Sequence, residues 1–105
     1  MTLVSLEPMF IKVYRDGAFT GVQRMEQADG LTFLCPKCFG TYQMHWIRIW
    51  RPHVSTNILP GPGRWEFVGT GLSDLTLRAS HTQDLKTESK CKAHFAIRNG
   101  KIEML

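Results

Sequence analysis

The chain has 105 residues, a formal net charge of +4 at pH 7, 43% hydrophobic residues and 21% charged residues. These proportions are those of an ordinary globular protein and exclude a disordered or low-complexity chain. No apolar run reaches the roughly 18 residues of a transmembrane helix. The opening Met1-Thr2-Leu3-Val4-Ser5-Leu6-Glu7-Pro8 lacks the basic and apolar regions of a signal peptide, so a cytoplasmic protein with reduced cysteines and no membrane association is expected. The length suits a single domain, residues 1–105, with a core modest enough to profit from a cross-link.

Taken in order, the chain reads as short strands divided by glycine and proline. Residues 9–14 are apolar and β-prone, and Arg15-Asp16-Gly17 is a turn signal. Residues 22–28 hold about two turns of weak helical pattern. Asp29-Gly30 leads into a strand at 31–35, and 42–50 is the longest strand, stopped by Pro52, which has no ladder donor. Residues 57–63 are a Pro/Gly loop, followed by strands at 64–68 and 75–78, the latter alternating apolar and polar as a half-buried strand does. Residues 80–90 are polar and read as a loop. Asn99-Gly100 between 94–98 and 101–105 supplies the two positive-φ residues of a type I′ turn, which makes the C-terminus a β-hairpin. The fold expected is mainly β: a small antiparallel sheet domain ending in a hairpin.

All three cysteines lie in two pairs. Cys35-Pro36-Lys37-Cys38 is a C-x-x-C turn that Pro36 pre-shapes and Gly40 releases, and Cys91-Lys92-Ala93-His94 is a C-x-x-H. Structural zinc takes four thiolate or imidazole ligands in a tetrahedron. Cys35, Cys38, Cys91 and His94 are therefore the expected metal ligands, with zinc as the ion and an iron–sulfur cluster carrying less weight. A thioredoxin-like redox pair would open a helix, which Phe39-Gly40-Thr41 before a β-rich run does not do. Four good ligands leave no open position for water, so the metal is expected to be structural. Such sites contribute about 10–16 kcal/mol of apparent free energy, comparable with a whole domain's stability, so the metal-free chain is expected to unfold.

His45-Trp46-Ile47-Arg48-Ile49-Trp50-Arg51 is the other unusual run. Period two puts Trp46, Arg48 and Trp50 on one face, with His45, Ile47 and Ile49 on the other. Ile47 and Ile49 read as core. Trp46, Arg48 and Trp50 then form either a binding face or a packed cation–π cluster that Trp65 and Phe67 complete. His45 stands close to the metal or is simply packed. His53 and His81 read as loop residues. No G-x-G-x-x-G, P-loop, H-E-x-x-H or G-x-S-x-G motif occurs, nor carboxylates paired for acid–base work.

Residues 33–38, Trp65-Glu66-Phe67-x-Gly69, residues 75–80 (Leu-Thr-Leu-Arg-Ala-Ser), residues 91–95 (Cys-Lys-Ala-His-Phe) and 97–102 (Ile-Arg-Asn-Gly-Lys-Ile) form a pattern over the last two-thirds of the chain. In this it resembles small phage and prophage proteins grouped as a domain of unknown function, some bacterial members of which carry names suggesting ammonia monooxygenase. The resemblance implies a compact, β-rich metal binder and brings no activity. The function expected is a non-enzymatic, zinc-stabilised binding or accessory module for another macromolecule, acting in the host cytoplasm, with a protein partner or a homodimer. A nucleic-acid-binding zinc-ribbon-like module is the alternative, although +4 falls short of dense Lys/Arg clustering. A metalloenzyme with an open metal position is the third.

Overall fold

The computed structural model describes residues 1–59, 64–79, 84–86, 91 and 93–105. The nine strands among the described residues are all paired antiparallel. Strands β1 (Met9–Val13), β2 (Phe19–Val22), β3 (Gly30–Leu34) and β4 (Trp46–Trp50) form one sheet in the order β2-β1-β3-β4. Strands β5 (Glu66–Val68) and β6 (Thr76–Arg78) pair with each other, while β7 (Asp84–Lys86), β8 (His94–Arg98) and β9 (Lys101–Met104) form a third sheet. The expected mainly antiparallel β fold with a C-terminal hairpin is what the chain adopts. At the β8–β9 turn Asn99 has φ 49° and Gly100 φ 74°, the signature of the type I′ turn.

Local expectations change in several places, and of residues 42–50, expected as the longest strand, only Trp46–Trp50 forms one. The weak helical pattern at 22–28 yields only a 3-10 turn at Met25–Gln27, too short to bury a face. Phe19–Val22 becomes β2 through its register with β1, although Gly21 and exposed Phe19 give it no alternating signal of its own. Residues 84–86, read as loop, form β7 because β8 offers them a pairing edge; the rest of 80–90, His81 included, lies outside the described residues.

The sheet of β1–β4 is two-sided. One face carries Phe10, Leu31, Phe33 and Ile49 into the main core, where they meet Leu75 and Leu77 of the β5–β6 segment and Phe95 and Ile97 of β8. Phe33 and Phe95 touch edge to face, centroids 6.1 Å apart at 84°. The N-terminal segment plugs this core with fully buried Leu3 and Leu6. It is tied to the C-terminal hairpin by Leu3 N–H to Gly100 O and Ile102 N–H to Met1 O. Thus both ends of the chain serve one core. The opposite face of the sheet carries a smaller cluster of Ile11, Trp50 and Val54.

That second face decides the fate of the expected aromatic surface. Trp50 is fully buried, and its indole donates to Leu59 O at 2.9 Å, so it is closed to a partner. Trp46 is 57% exposed. Arg48 lies between them, its guanidinium 4.7 Å from the Phe19 ring and 5.8 Å from the Trp50 ring. Trp65 and Phe67 do not join this cluster. They belong to the main core, where Phe67 contacts Phe10 at 6.3 Å.

Candidate metal centre and catalytic groups

Cys35 follows β3 directly, and His45 precedes β4 directly. The β3–β4 register makes them cross-strand neighbours: Cys35 N–H donates to His45 O at 2.9 Å. Between them, the turn through Cys38 is fixed by Thr41, whose N–H and hydroxyl both donate to Cys38 O, at 3.0 and 2.7 Å. Gly40 leaves that turn at φ +81°, a conformation open to glycine. Cys91 arrives from the far side, its carbonyl accepting from Lys37 Nζ at 2.5 Å.

The result is a group of Cys35, Cys38, Cys91 and His45 whose ligand atoms all lie within 4.8 Å of one another. Cys35 Sγ and Cys91 Sγ are 3.8 Å apart, and His45 Nε2 is 3.3 Å from Cys91 Sγ. Zn–S bonds of about 2.3 Å in a tetrahedron imply an S···S separation of about 3.8 Å, and an S···N separation near 3.5 Å. The donor set fits a four-coordinate metal. Cys35 and Cys38 are buried, and Cys91 and His45 half-buried. Burial, and then the neighbouring Cys91 and Cys35, push the Cys38 thiol up to about 11. A divalent cation reverses that repulsion, because coordination favours the thiolate.

The three cysteines thus come together as the sequence indicates. The imidazole that joins them is that of His45, and His94 is not in the group. The signal for His45 was its position opposite Cys35 across a hairpin, which spacing along the chain does not reveal. His94 opens β8, where it pairs with Lys86 of β7 and its carbonyl accepts from Leu105 N–H at 2.9 Å. Strand pairing, rather than the C-x-x-H spacing, sets its direction.

A second set of chemically capable side chains lies on the smaller-core side of the sheet. His53 Nε2 is 2.7 Å from Asp29 Oδ1, and Asp29 Oδ2 accepts from Val13 N–H at 2.9 Å. Burial alone would raise the Asp29 carboxyl; the bonds from His53 and Val13 outweigh it and hold it below its ordinary 3.8. Ser55 borders the same shallow groove of about 380 Å³. Its hydroxyl bonds to the Asn57 side chain.

The sequence matches the family described as bacterial ubiquitination-like system serine protease (BubE) over residues 5–105. The chain belongs to this family. No curated protein matches it, and neither does any solved structure. The family match corrects two expectations. A non-enzymatic binding or accessory module, and with it a chain that is not an enzyme, conflicts with membership of a serine protease family. The match also begins at residue 5, not in the last two-thirds. Membership of a serine protease family was not legible in the sequence, because the sites of such families draw on residues far apart in the chain and are defined by geometry, with no obligatory local motif. No helix among the described residues is long and apolar enough to cross a membrane.

Proposed function

We propose that this protein is a serine peptidase stabilised by a structural metal, cleaving a protein substrate within a bacterial ubiquitination-like system. The observation that carries the reading is the serine protease family match over residues 5–105. Such an enzyme needs a hydroxyl nucleophile, a base within hydrogen-bond reach and a group that orients the base. Residues 75–80 and 91–95, two of the segments on which the resemblance rests, contain one serine and one histidine between them: Ser80 and His94. In this reading Ser80 is the nucleophile and His94 the base. Three observations support it. His94 is outside the metal group, so its imidazole is not committed there. It is half-buried at the head of β8. Finally, β6 packs against β8 and ends at Arg78, two residues before Ser80, which itself lies outside the described residues.

The metal's part is structural. Zinc is the ion this Cys3His donor set favours, held by Cys35, Cys38, Cys91 and His45, and three thiolates leave it a weak Lewis acid. Coordination pins Cys91 to the β3–β4 hairpin, and so fixes the approach to β8 and His94.

The Asp29–His53 contact supports a second reading, with Ser55 as nucleophile, because an aspartate holding an imidazole at 2.7 Å is the orienting half of a triad. A fluorophosphonate probe, which labels activated serines, decides between them on the zinc-loaded protein. Ser80→Ala and His94→Ala are expected to abolish labelling, while Ser55→Ala and His53→Ala retain it. The opposite pattern transfers the site to Asp29, His53 and Ser55. Absence of labelling in the folded wild-type protein would refute the peptidase reading.

A further inference from the structure

On the face of the sheet away from the main core, a groove of about 610 Å³ opens between Met9, Phe19, Trp46 and Leu59. Its volume is that of a ligand site, and its walls are apolar. At its floor lies one guanidinium. Arg48 extends from β4 past its cross-strand neighbour Thr32 to lie against Phe19 on β2. Its Nε is buried without a hydrogen-bond partner. No ion pair or hydrogen bond joins Arg48 to any described residue, Glu7 at the groove's rim included.

Arginine carries five donors and keeps its charge at any ordinary pH. Burying its Nε under apolar rings without an acceptor is unfavourable, while the half-buried side chain keeps its terminal nitrogens open to an anion that enters the groove. The aromatic contacts hold the guanidinium plane in place, which pre-organises it for a carboxylate.

The strand that bears Arg48 is also at an edge. Cys35 N–H donates to His45 O, and Arg51 N–H to Asp29 O, so the odd-numbered residues of β4 direct their backbone groups to β3. By the alternation of an antiparallel ladder, Trp46, Arg48 and Trp50 direct theirs outward. Trp50 O already accepts from Trp65 N–H at 2.9 Å on that side. Among the described residues, no strand pairs with Trp46 and Arg48 there.

The geometry points to a substrate-recognition groove: an extended peptide segment adds to the Trp46–Arg48 edge and places an acidic side chain on Arg48. A strand laid on this edge puts the side chain opposite Arg48 on the same face, roughly 5 Å away between Cβ atoms. Its residues two positions to either side then meet the apolar walls, Trp46 among them. The occupant is therefore an extended segment with an acidic residue flanked, at alternate positions, by apolar ones. As a substrate site it rests on the peptidase reading, but binding can be measured without cleavage, so the two fail separately.

The test uses the zinc-loaded full chain and fluorescein-labelled, C-terminally amidated peptides of sequence Thr-Leu-Thr-Glu-Thr-Leu-Thr, with Gln in place of Glu as the partner probe. Binding is read by fluorescence anisotropy and by quenching of Trp46, which alone of the three tryptophans is exposed. The Glu peptide is expected to bind about tenfold more tightly, the scale of one charge-assisted contact. That preference is expected to vanish in Arg48→Met, survive partly in Arg48→Lys and shrink with added salt. Equal binding of the two peptides overturns the proposal, as does no binding of either at millimolar concentration. Preference for a Gln peptide with a free C-terminal carboxylate over the amidated Glu peptide would replace the acidic side chain with a chain end as occupant, and would also overturn it.

Discussion

Replacing His45 by alanine separates the candidate metal centre from His94, the base of the proposed site. If zinc binding to a four-ligand site contributes about 10–16 kcal/mol of apparent free energy, one ligand in four carries about 2.5–4 kcal/mol. His45 Nε2 lies 3.3 Å from Cys91 Sγ, close to the separation of about 3.5 Å between sulfur and nitrogen ligands of a tetrahedral zinc, so the imidazole is counted as one of the four ligands. His45→Ala is therefore expected to weaken zinc binding roughly 10²–10³-fold. His94→Ala, outside the group, is expected to leave zinc affinity within about threefold, a change of less than 1 kcal/mol. Competition against a chromophoric zinc chelator measures both, and cobalt substitution reports the geometry through its ligand-field bands. Tight zinc binding by His45→Ala together with loss in His94→Ala would show that the imidazole comes from the C-x-x-H pair, and the geometry argued above would be wrong.

Other outcomes follow from packing and charge. Phe33→Ala removes a fully buried ring stacked edge to face on Phe95; a loss of about 3–5 kcal/mol is expected in urea titrations of the zinc-loaded protein. Gly100→Ala would drive a Cβ to 2.0 Å from Ser73 O at φ +74°, whereas Gly17→Ala at φ +85° meets nothing within 4 Å; thermal melts are expected to show severe loss for the first and mild loss, from backbone strain alone, for the second. Hydrogen bonds from the Thr70 hydroxyl and from the Thr70 and Gly71 N–H groups hold the Asp74 carboxyl below its ordinary 3.8. A depressed carboxyl stabilises the fold above its unfolded value, and that stability is lost as pH falls through the folded one. Asp74→Asn and Asp29→Asn are thus expected to destabilise at pH 7, by urea midpoint, with the gap to wild type closing below about pH 4. A gap that widens in acid would reverse the assignment.

Much of the sheet was legible because its signals are local. Asn99-Gly100 dictated the final turn, and the apolar residues of β1, β3 and β8 needed no knowledge of their partners. The cysteines were legible too, since C-x-x-C spacing is itself a metal-ligand signature. Phe19–Val22 and Asp84–Lys86 were not: neither has an apolar pattern of its own, and each is a strand only because a neighbour's free edge pairs with it. Trp46 and Trp50 share a face by period two, yet one is exposed and the other sealed. That difference comes from Val54 and Leu59, which fold back over Trp50 and leave Trp46 uncovered.

By itself, the sequence determined the β class, the closing hairpin and the three cysteines of a candidate metal site. Turn chemistry, alternation and ligand type act over a few residues, and those distances are written in the chain. Tertiary structure alone decided that His45 completes the metal group while His94 stands outside it. The choice depends on the β3–β4 register, which sets His45 opposite Cys35 across the nine intervening residues 36–44. Ligand identity is a matter of a few tenths of an ångström in space, and residue spacing along a chain cannot resolve it when two histidines compete for one corner of a tetrahedron.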